Sequence, residues 1–168
     1  IEQFIEHLTR QGKSYYKLKT SHAFHSKSML QASAELKEYL CNNIKFKENL
    51  SPFISNLSGE FISFENLTSP SYWAQHMVSP VQFYKGLQTL NLQYPNAVYL
   101  EVGPGVALNN FLNTYKVSAN LQLISLALLP KKKNDKEKDV SLKYLLESIG
   151  QIWSSGYNIN WSRVRASL

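Results

Sequence analysis

Cysteine is nearly absent: Cys41 is the only one in 168 residues. That excludes a disulfide framework and every cysteine-rich zinc pattern. Long apolar runs are missing too. No stretch of about 18 apolar residues occurs and no basic-then-apolar leader opens the chain, so neither a membrane span nor a signal peptide is expected, and the compartment reads as cytoplasmic. Arginine is scarce, with only Arg10, Arg163 and Arg165 among 18 basic residues. So thin a supply of bidentate forks argues against nucleic acid as a partner. The chain also contains no Gly-x-Ser-x-Gly elbow, no P-loop and no HExxH pair, so the chemistries those motifs carry have no foothold in it.

What is present is the composition of a folded protein, 43% hydrophobic and 18% charged. A chain of this length can bury about 70% of its unfolded surface without disulfides or metals. The net charge is +6, from 18 basic and 12 acidic residues. Half of it sits in one place, where Lys131, Lys132, Lys133, Lys136 and Lys138 are opposed only by Asp135 and Glu137. Such a tract suits a weak attraction to an acidic partner or a polyphosphate ligand, and it is the best domain boundary. The chain opens on Ile1 rather than Met, already inside an apolar helical pattern, which suggests a piece of a longer polypeptide.

Apolar spacing predicts the elements. Ile1, Phe4, Ile5 and Leu8 recur at helical intervals and Gly12 follows as a stop. Residues 15–19 read as a short strand. Met29, Ala32, Leu36 and Leu40 share one face of a helix over residues 26–43, with Ser26 as N-cap. Cys41, on that helix, is expected to be a packed small hydrophobe. Residues 53–57 read as a strand closed by a Ser58-Gly59 turn. Ser69 and Pro70 open another helix as cap and first residue, and Pro80 ends it before a further helix over residues 81–92. Residues 97–102 form an apolar strand running into Gly103-Pro104-Gly105 and a helix through Leu108, Phe111 and Leu112. Residues 121–129 form another buried strand. After the lysine tract, Leu142, Leu145, Leu146, Ile149, Ile152 and Trp153 make an apolar stripe of helical period that stops near Gly156. Strands alternating with helices imply an α/β layer with a mostly parallel sheet.

Two features invite a chemical reading. Gly103-Pro104-Gly105 between strand and helix is like the start of a dinucleotide fingerprint, but Leu108 stands where the third glycine belongs, so a tight turn is the better reading. Of the four histidines, His7 lies beside Glu6 on a solvated helix. His22 and His25 flank Ala23-Phe24 at a junction between strand and helix, where loops carry functional groups on a rigid scaffold. Imidazole titrates near neutrality and could relay protons to and from a nucleophile. A structural or chance pair is the plainer reading of such a spacing, and a two-histidine metal site lacks a third ligand nearby.

Four motifs in register then resemble a known family: Ser21-His22-Ala23-Phe24-His25-Ser26, Ile54-Ser55-Asn56-Leu57-Ser58-Gly59, Tyr72-Trp73-Ala74-Gln75-His76-Met77-Val78-Ser79-Pro80-Val81-Gln82-Phe83, and Leu100-Glu101-Val102-Gly103-Pro104-Gly105. In this order they resemble the acyltransferase domain of modular type I polyketide synthases, a malonyl-CoA:acyl carrier protein transacylase-like domain. The tail from Gly156 to Trp161 is similar to the segment that comes after it, so the likeness covers nearly all of the chain. The resemblance implies a C-terminal half: the end of an inserted ferredoxin-like small subdomain with the histidine loop in residues 1–25, the C-terminal half of an α/β-hydrolase-like large subdomain in residues 26–129, and a helical post-acyltransferase linker in residues 130–168. The family's nucleophilic serine and carboxylate-binding arginine would lie upstream of Ile1.

The resemblance also implies a ping-pong transfer. Serine takes a malonyl extender unit from malonyl-CoA and passes it to the phosphopantetheine thiol of an acyl carrier protein. His25 matches the general acid/base, and His76 the position whose main chain orients it in place of a triad carboxylate. His22, Ala23, Phe24 and Asn56 match substrate-binding positions. His22-Ala23-Phe24-His25 is similar to the malonyl-associated form of the motif, where methylmalonyl-selecting relatives carry Tyr-Ala-Ser-His, because a phenylalanine ring fills the space an α-methyl needs. No metal and no covalently bound cofactor are implied; the coenzyme A ester is substrate, and the phosphopantetheine belongs to the partner. The expected partners are the carrier protein, malonyl-CoA, the missing N-terminal half and neighbouring synthase domains. Two other readings stay open: an acyl hydrolase on the same fold, with water as acceptor, and a noncatalytic module docking through the stripe from Leu142 to Trp153 with Tyr157 and Trp161.

Overall fold

A computed structural model describes residues 1–17, 20–47, 51–129 and 138–167, with only the backbone for 138–140. The fold is mixed α/β, as the alternation of patterns predicts. It falls into two compact units, Ile1–Pro52 with Ile62–Val81, and Phe53–Phe61 with Gln82–Leu168.

The first unit is helical. Helix α1, Glu2–Arg10, buries no side chain. A 3-10 turn over Lys27–Met29 leads into α2, Leu30–Asn43, followed by α3, Phe64–Leu67, and α4, Pro70–Val78. The single helix expected over 26–43 is thus split: Ser26 caps the 3-10 turn, its Oγ accepting from Ser28 N at 3.3 Å and donating to Ala23 O at 2.7 Å. Helix α2 and the 3-10 turn before it pack on α4, with Met29 of the turn, Ser33 of α2, and Tyr72 and Ala74 of α4 all buried. The Ser33 hydroxyl donates to Ala74 O at 2.7 Å, and Trp73 Nε1 donates to Leu67 O at 2.9 Å.

Three expectations are corrected in this unit. Residues 15–17 are irregular, with Tyr15 and Tyr16 exposed, because no strand lies alongside them among the described residues; 18 and 19 are outside those residues. Cys41 is exposed rather than packed, since it follows Leu40 by about 100° of helix rotation and so leaves the buried face. Ser69 occupies the N-cap of α4 but makes no side-chain cap bond. The Tyr72 N–H that its hydroxyl would accept is taken by Ser69's own carbonyl at 3.0 Å.

The second unit carries the sheet. β1, Val98–Pro104, and β2, Ile124–Leu129, pair in parallel with Val98 opposite Ile124 and Glu101 opposite Ala127. They are joined by α6, Ala107–Ser118, in a β-α-β crossover. Helix α5, Phe83–Gln93, packs on α6, and Leu87, Leu112, Tyr115 and Leu123 form the buried core with Phe83, Tyr99 and Leu121 against it. Helix α7, Lys138–Ser154, lies on β2, where the buried Ser148 hydroxyl donates to Ala127 O at 3.2 Å. It stops before Gly156, whose φ of 92° suits glycine. Helix α8, Trp161–Ala166, missed in the sequence, is capped by Asn160 Oδ1 accepting from Arg163 N. Most of the lysine tract, residues 130–137, lies outside the described residues.

Residues 53–57 are a loop rather than a strand, with one antiparallel bridge between Ile54 and Phe61. The loop closes on itself and on α5 instead of on a sheet. Ser55 N donates to Glu60 O at 2.9 Å, Thr89 Oγ1 donates to Gly59 O at 2.6 Å, and Lys85 Nζ meets Glu60 Oε1 at 2.8 Å. Gly59, at φ 70°, comes so close to α5 that an added Cβ would sit 2.6 Å from Lys85 Cβ. Among the described residues no helix is long and apolar enough to cross a membrane.

Candidate active site

The site is built on the end of α4. A helix leaves its last carbonyls without intrahelical partners, and the sequence adds a second reason. His76 O would accept from the N–H of the residue four places on, which is Pro80 and has none. Ser79 is pushed to extended backbone, ψ 150°, as a residue before proline should be. Three carbonyls therefore face one place. His25 N donates to Met77 O at 2.9 Å, and His25 Nδ1 lies 3.0 Å from His76 O and 3.1 Å from Ser79 O.

Carbonyl oxygens accept and cannot donate, so this contact puts the proton of the neutral imidazole on Nδ1. The lone pair is then on Nε2, on a ring that is exposed. The arrangement can accept a proton at Nε2 and stabilise the imidazolium without a carboxylate. His25 is held in the left-handed region, φ 60°, which costs a non-glycine residue about 1–2 kcal/mol. The three contacts to α4 hold it there.

The remaining candidates divide. Ser21 Oγ and His22 Nδ1 are 2.8 Å apart, and the His22 ring meets Phe24 edge-to-face at 6.0 Å. Phe24 is 53% exposed, so much of its ring is uncovered. Ala23 supplies the carbonyl that takes the Ser26 hydroxyl. Thus the His22–His25 loop and His76 come together in the first unit. Asn56 belongs to the second, on the loop clamped to α5, where its carbonyl accepts from Gln82 N at 2.8 Å. The roles of Met77 and Ser79 were missed in the sequence; Pro80, four residues after His76, was the available signal.

Two other chemistries have no support. The N-terminus of α6, where a dinucleotide phosphate would sit, is taken by the Glu101 carboxylate, which accepts from Leu108 N at 3.1 Å and Asn109 N at 2.9 Å. Gly103-Pro104-Gly105 is therefore the end of β1 and a turn, with Gly105 at φ 116°. Among the described residues no three of His, Cys, Asp and Glu come together to hold a metal.

No family model matches the chain. In sequence it is similar to a phenolphthiocerol/phthiocerol polyketide synthase component from Mycobacterium tuberculosis, 26% identical over 169 residues that span 100% of this chain and 11% of that protein. It is also similar to spectinabilin polyketide synthase system protein NorB of Streptomyces orinoci, 37% identical over 93 residues, 55% of this chain and 4% of that one. Its structure resembles the acyl transferase domain of SpnD in complex with 2-(pent-4-yn-1-yl)malonyl, with a TM-score of 0.78 at 21% identity over 92% of this chain and 36% of that chain. It also resembles malonyl CoA-acyl carrier protein transacylase from Clostridium perfringens, with a TM-score of 0.63 at 22% identity over 94% of this chain and 45% of that chain. The chain thus spans about a tenth of the first synthase and about a third of the first acyltransferase structure. The chain is thus similar in sequence to polyketide synthases along its whole length, and in fold it resembles acyltransferase domains, of which it spans a part.

Proposed function

We propose that this chain is the C-terminal portion of an acyltransferase domain that moves a malonyl unit from malonyl-CoA, through an acyl-serine, to the phosphopantetheine thiol of an acyl carrier protein. The observation that carries the reading is His25, its Nδ1 set between the carbonyls of His76 and Ser79, with no hydrogen bond to Nε2 among the described residues. Nε2 takes the proton of the serine as its oxygen attacks the thioester carbonyl. The imidazolium then protonates the coenzyme A thiolate as it leaves, and the same steps run in reverse with the carrier thiol as acceptor. His76 and Ser79 do through backbone oxygens what a triad carboxylate does elsewhere.

The serine, with a cation for the malonyl carboxylate, comes from sequence outside this chain. On this reading residues 1–25 end a ferredoxin-like insert, residues 26–129 complete a hydrolase-like sheet, and residues 130–168 are the linker to the next domain, all within a cytoplasmic multienzyme. Exposed apolar side chains support a chain that packs on more protein: Phe4 and Phe24 in the first unit, Val102, Phe111 and Trp153 in the second. Phe24, His22 and Ala23 border the acyl group, and Asn56 is assigned to substrate by the same resemblance.

Radiolabelled malonyl-CoA tests the reading. The intact polypeptide is expected to take up label as an ester and lose it to carrier protein, and the 168-residue chain by itself is expected to take up none. Label lost to water at the same rate with and without carrier would make the protein a hydrolase; stable label on the isolated chain would overturn the reading. Pro80→Ala supplies a finer check. A restored N–H at residue 80 competes for His76 O, so acylation is expected to slow by about 2- to 10-fold, the equivalent of one hydrogen bond of about 0.5–1.5 kcal/mol. The same change in a His25→Asn background is expected to do nothing further.

A further inference from the structure

The carbonyl of His76 has a part in the proposed chemistry, whereas its side chain so far has none. That ring stands edge-on to His25, with centroids 5.2 Å apart and planes at 82°. It also lies nearly parallel to Tyr72, 6.5 Å away at 24°, and Tyr72 is buried where α4 meets α2. Burial, and after it the charge of His25, holds the His76 imidazole below its ordinary value. The other charged residues on elements packed against α4 are Lys27 on the 3-10 turn, Glu35, Lys37 and Glu38 on α2, and Glu65 on α3; all are exposed. None of them contributes to the lowering.

We propose that His76 is a positioning residue through its imidazole as well as its carbonyl: the ring, laid against Tyr72, buttresses His25 edge-to-face. A neutral ring anchored on Tyr72 restricts rotation of the His25 imidazole without repelling the imidazolium that proton transfer creates. A second positive charge at this distance would oppose it. The inference deepens the reading above and rests on it only for its effect on rate.

Two experiments on the intact protein test it. In the first, the histidine Cε1–H resonances are assigned by single substitutions and followed against pH. His76 is expected to take up its proton below the ordinary 6.5. His25→Asn removes the like charge and is expected to raise the His76 midpoint while burial keeps it below that value; an unmoved midpoint overturns the coupling. In the second, His76→Gln, which keeps the carbonyl, is expected to lower kcat by about 2- to 10-fold at unchanged KM for malonyl-CoA. His76→Gln should leave the acid limb of kcat/KM in place, and His76→Lys, with its permanent charge, should move that limb to lower pH. An unchanged kcat in the glutamine variant, or an unmoved limb in the lysine variant, overturns the positioning role. Coupled titrations in a protein that loads no malonyl would leave this inference standing and sink the proposed reaction; independent titrations in a protein that loads malonyl would do the reverse.

Discussion

On the proposed reading, His25→Asn in the intact polypeptide is expected to slow acyl-enzyme formation by about 100-fold or more, the usual scale for lost acid-base catalysis. Asparagine is the apt replacement because it tolerates the left-handed backbone that His25 occupies, φ 60°, better than alanine does. The backbone N–H to Met77 O survives, so the loop and the thermal transition should change little. What disappears is a base whose Nδ1 is tied to His76 O and Ser79 O and whose Nε2 carries the lone pair. His22→Ala is the control. The His22 ring is occupied with Ser21 and Phe24 and makes no contact with the α4 carbonyls among the described hydrogen bonds, so its loss should cost the rate far less. Stopped-flow or quenched acylation with malonyl-CoA reads both, and equal losses would mean the roles of the two histidines are wrongly assigned.

How far the sequence reached depends on what each feature is made of. Apolar period was enough for α2, α6 and α7, whose stripes face a partner in the same unit, and the Pro80 break marked the start of α5. The strand expected at 53–57, ahead of the Ser58-Gly59 turn, did not form. Ile54 lies against Gly86 of α5 and bridges to Phe61, which meets Tyr94 just after α5, and a loop that folds on itself has no repeat to read. Residues 15–17 failed for a related reason: a strand needs an edge to pair with, and edges are set by contacts distant in sequence.

At the site, His25 was legible as a candidate because its neighbours form a motif. Its acceptors were not, because backbone carbonyls carry no side-chain signature. Pro80 is the trace they leave: a missing N–H four residues after His76 frees the oxygen that His25 uses. Glu101 is a similar case. It interrupts an apolar strand, and the reason appears only when its carboxylate is seen capping α6, the same contact that closes the dinucleotide alternative. A charged residue in an apolar strand just ahead of a turn and a helix is thus a readable sign of a cap.

Phe24→Ser should change selectivity rather than rate. In the intact domain the substitution is expected to raise loading of methylmalonyl relative to malonyl by about 10-fold, within the roughly 10- to 200-fold that one methyl-sized difference in a pocket can supply. The physical basis is the position of the ring. Phe24 is the residue before His25, whose contacts tie this loop to α4, and its ring meets His22 edge-to-face with 53% of the residue exposed. A ring held in that way is a wall, and a serine there leaves an open volume. The effect stays below the upper bound because His22 stands edge-to-face against the ring at 6.0 Å and is itself fixed by Ser21 Oγ. After the substitution His22 keeps part of the wall, so adding His22→Ala to Phe24→Ser should widen the ratio further than the two single changes combined. Competition between the two coenzyme A esters for one enzyme pool, read by mass spectrometry of the acylated protein, gives the ratio directly. A folded Phe24→Ser variant with an unchanged ratio would place the methyl group of the competing substrate away from this ring, and the preference for malonyl would then have to come from residues outside the His22–His25 loop.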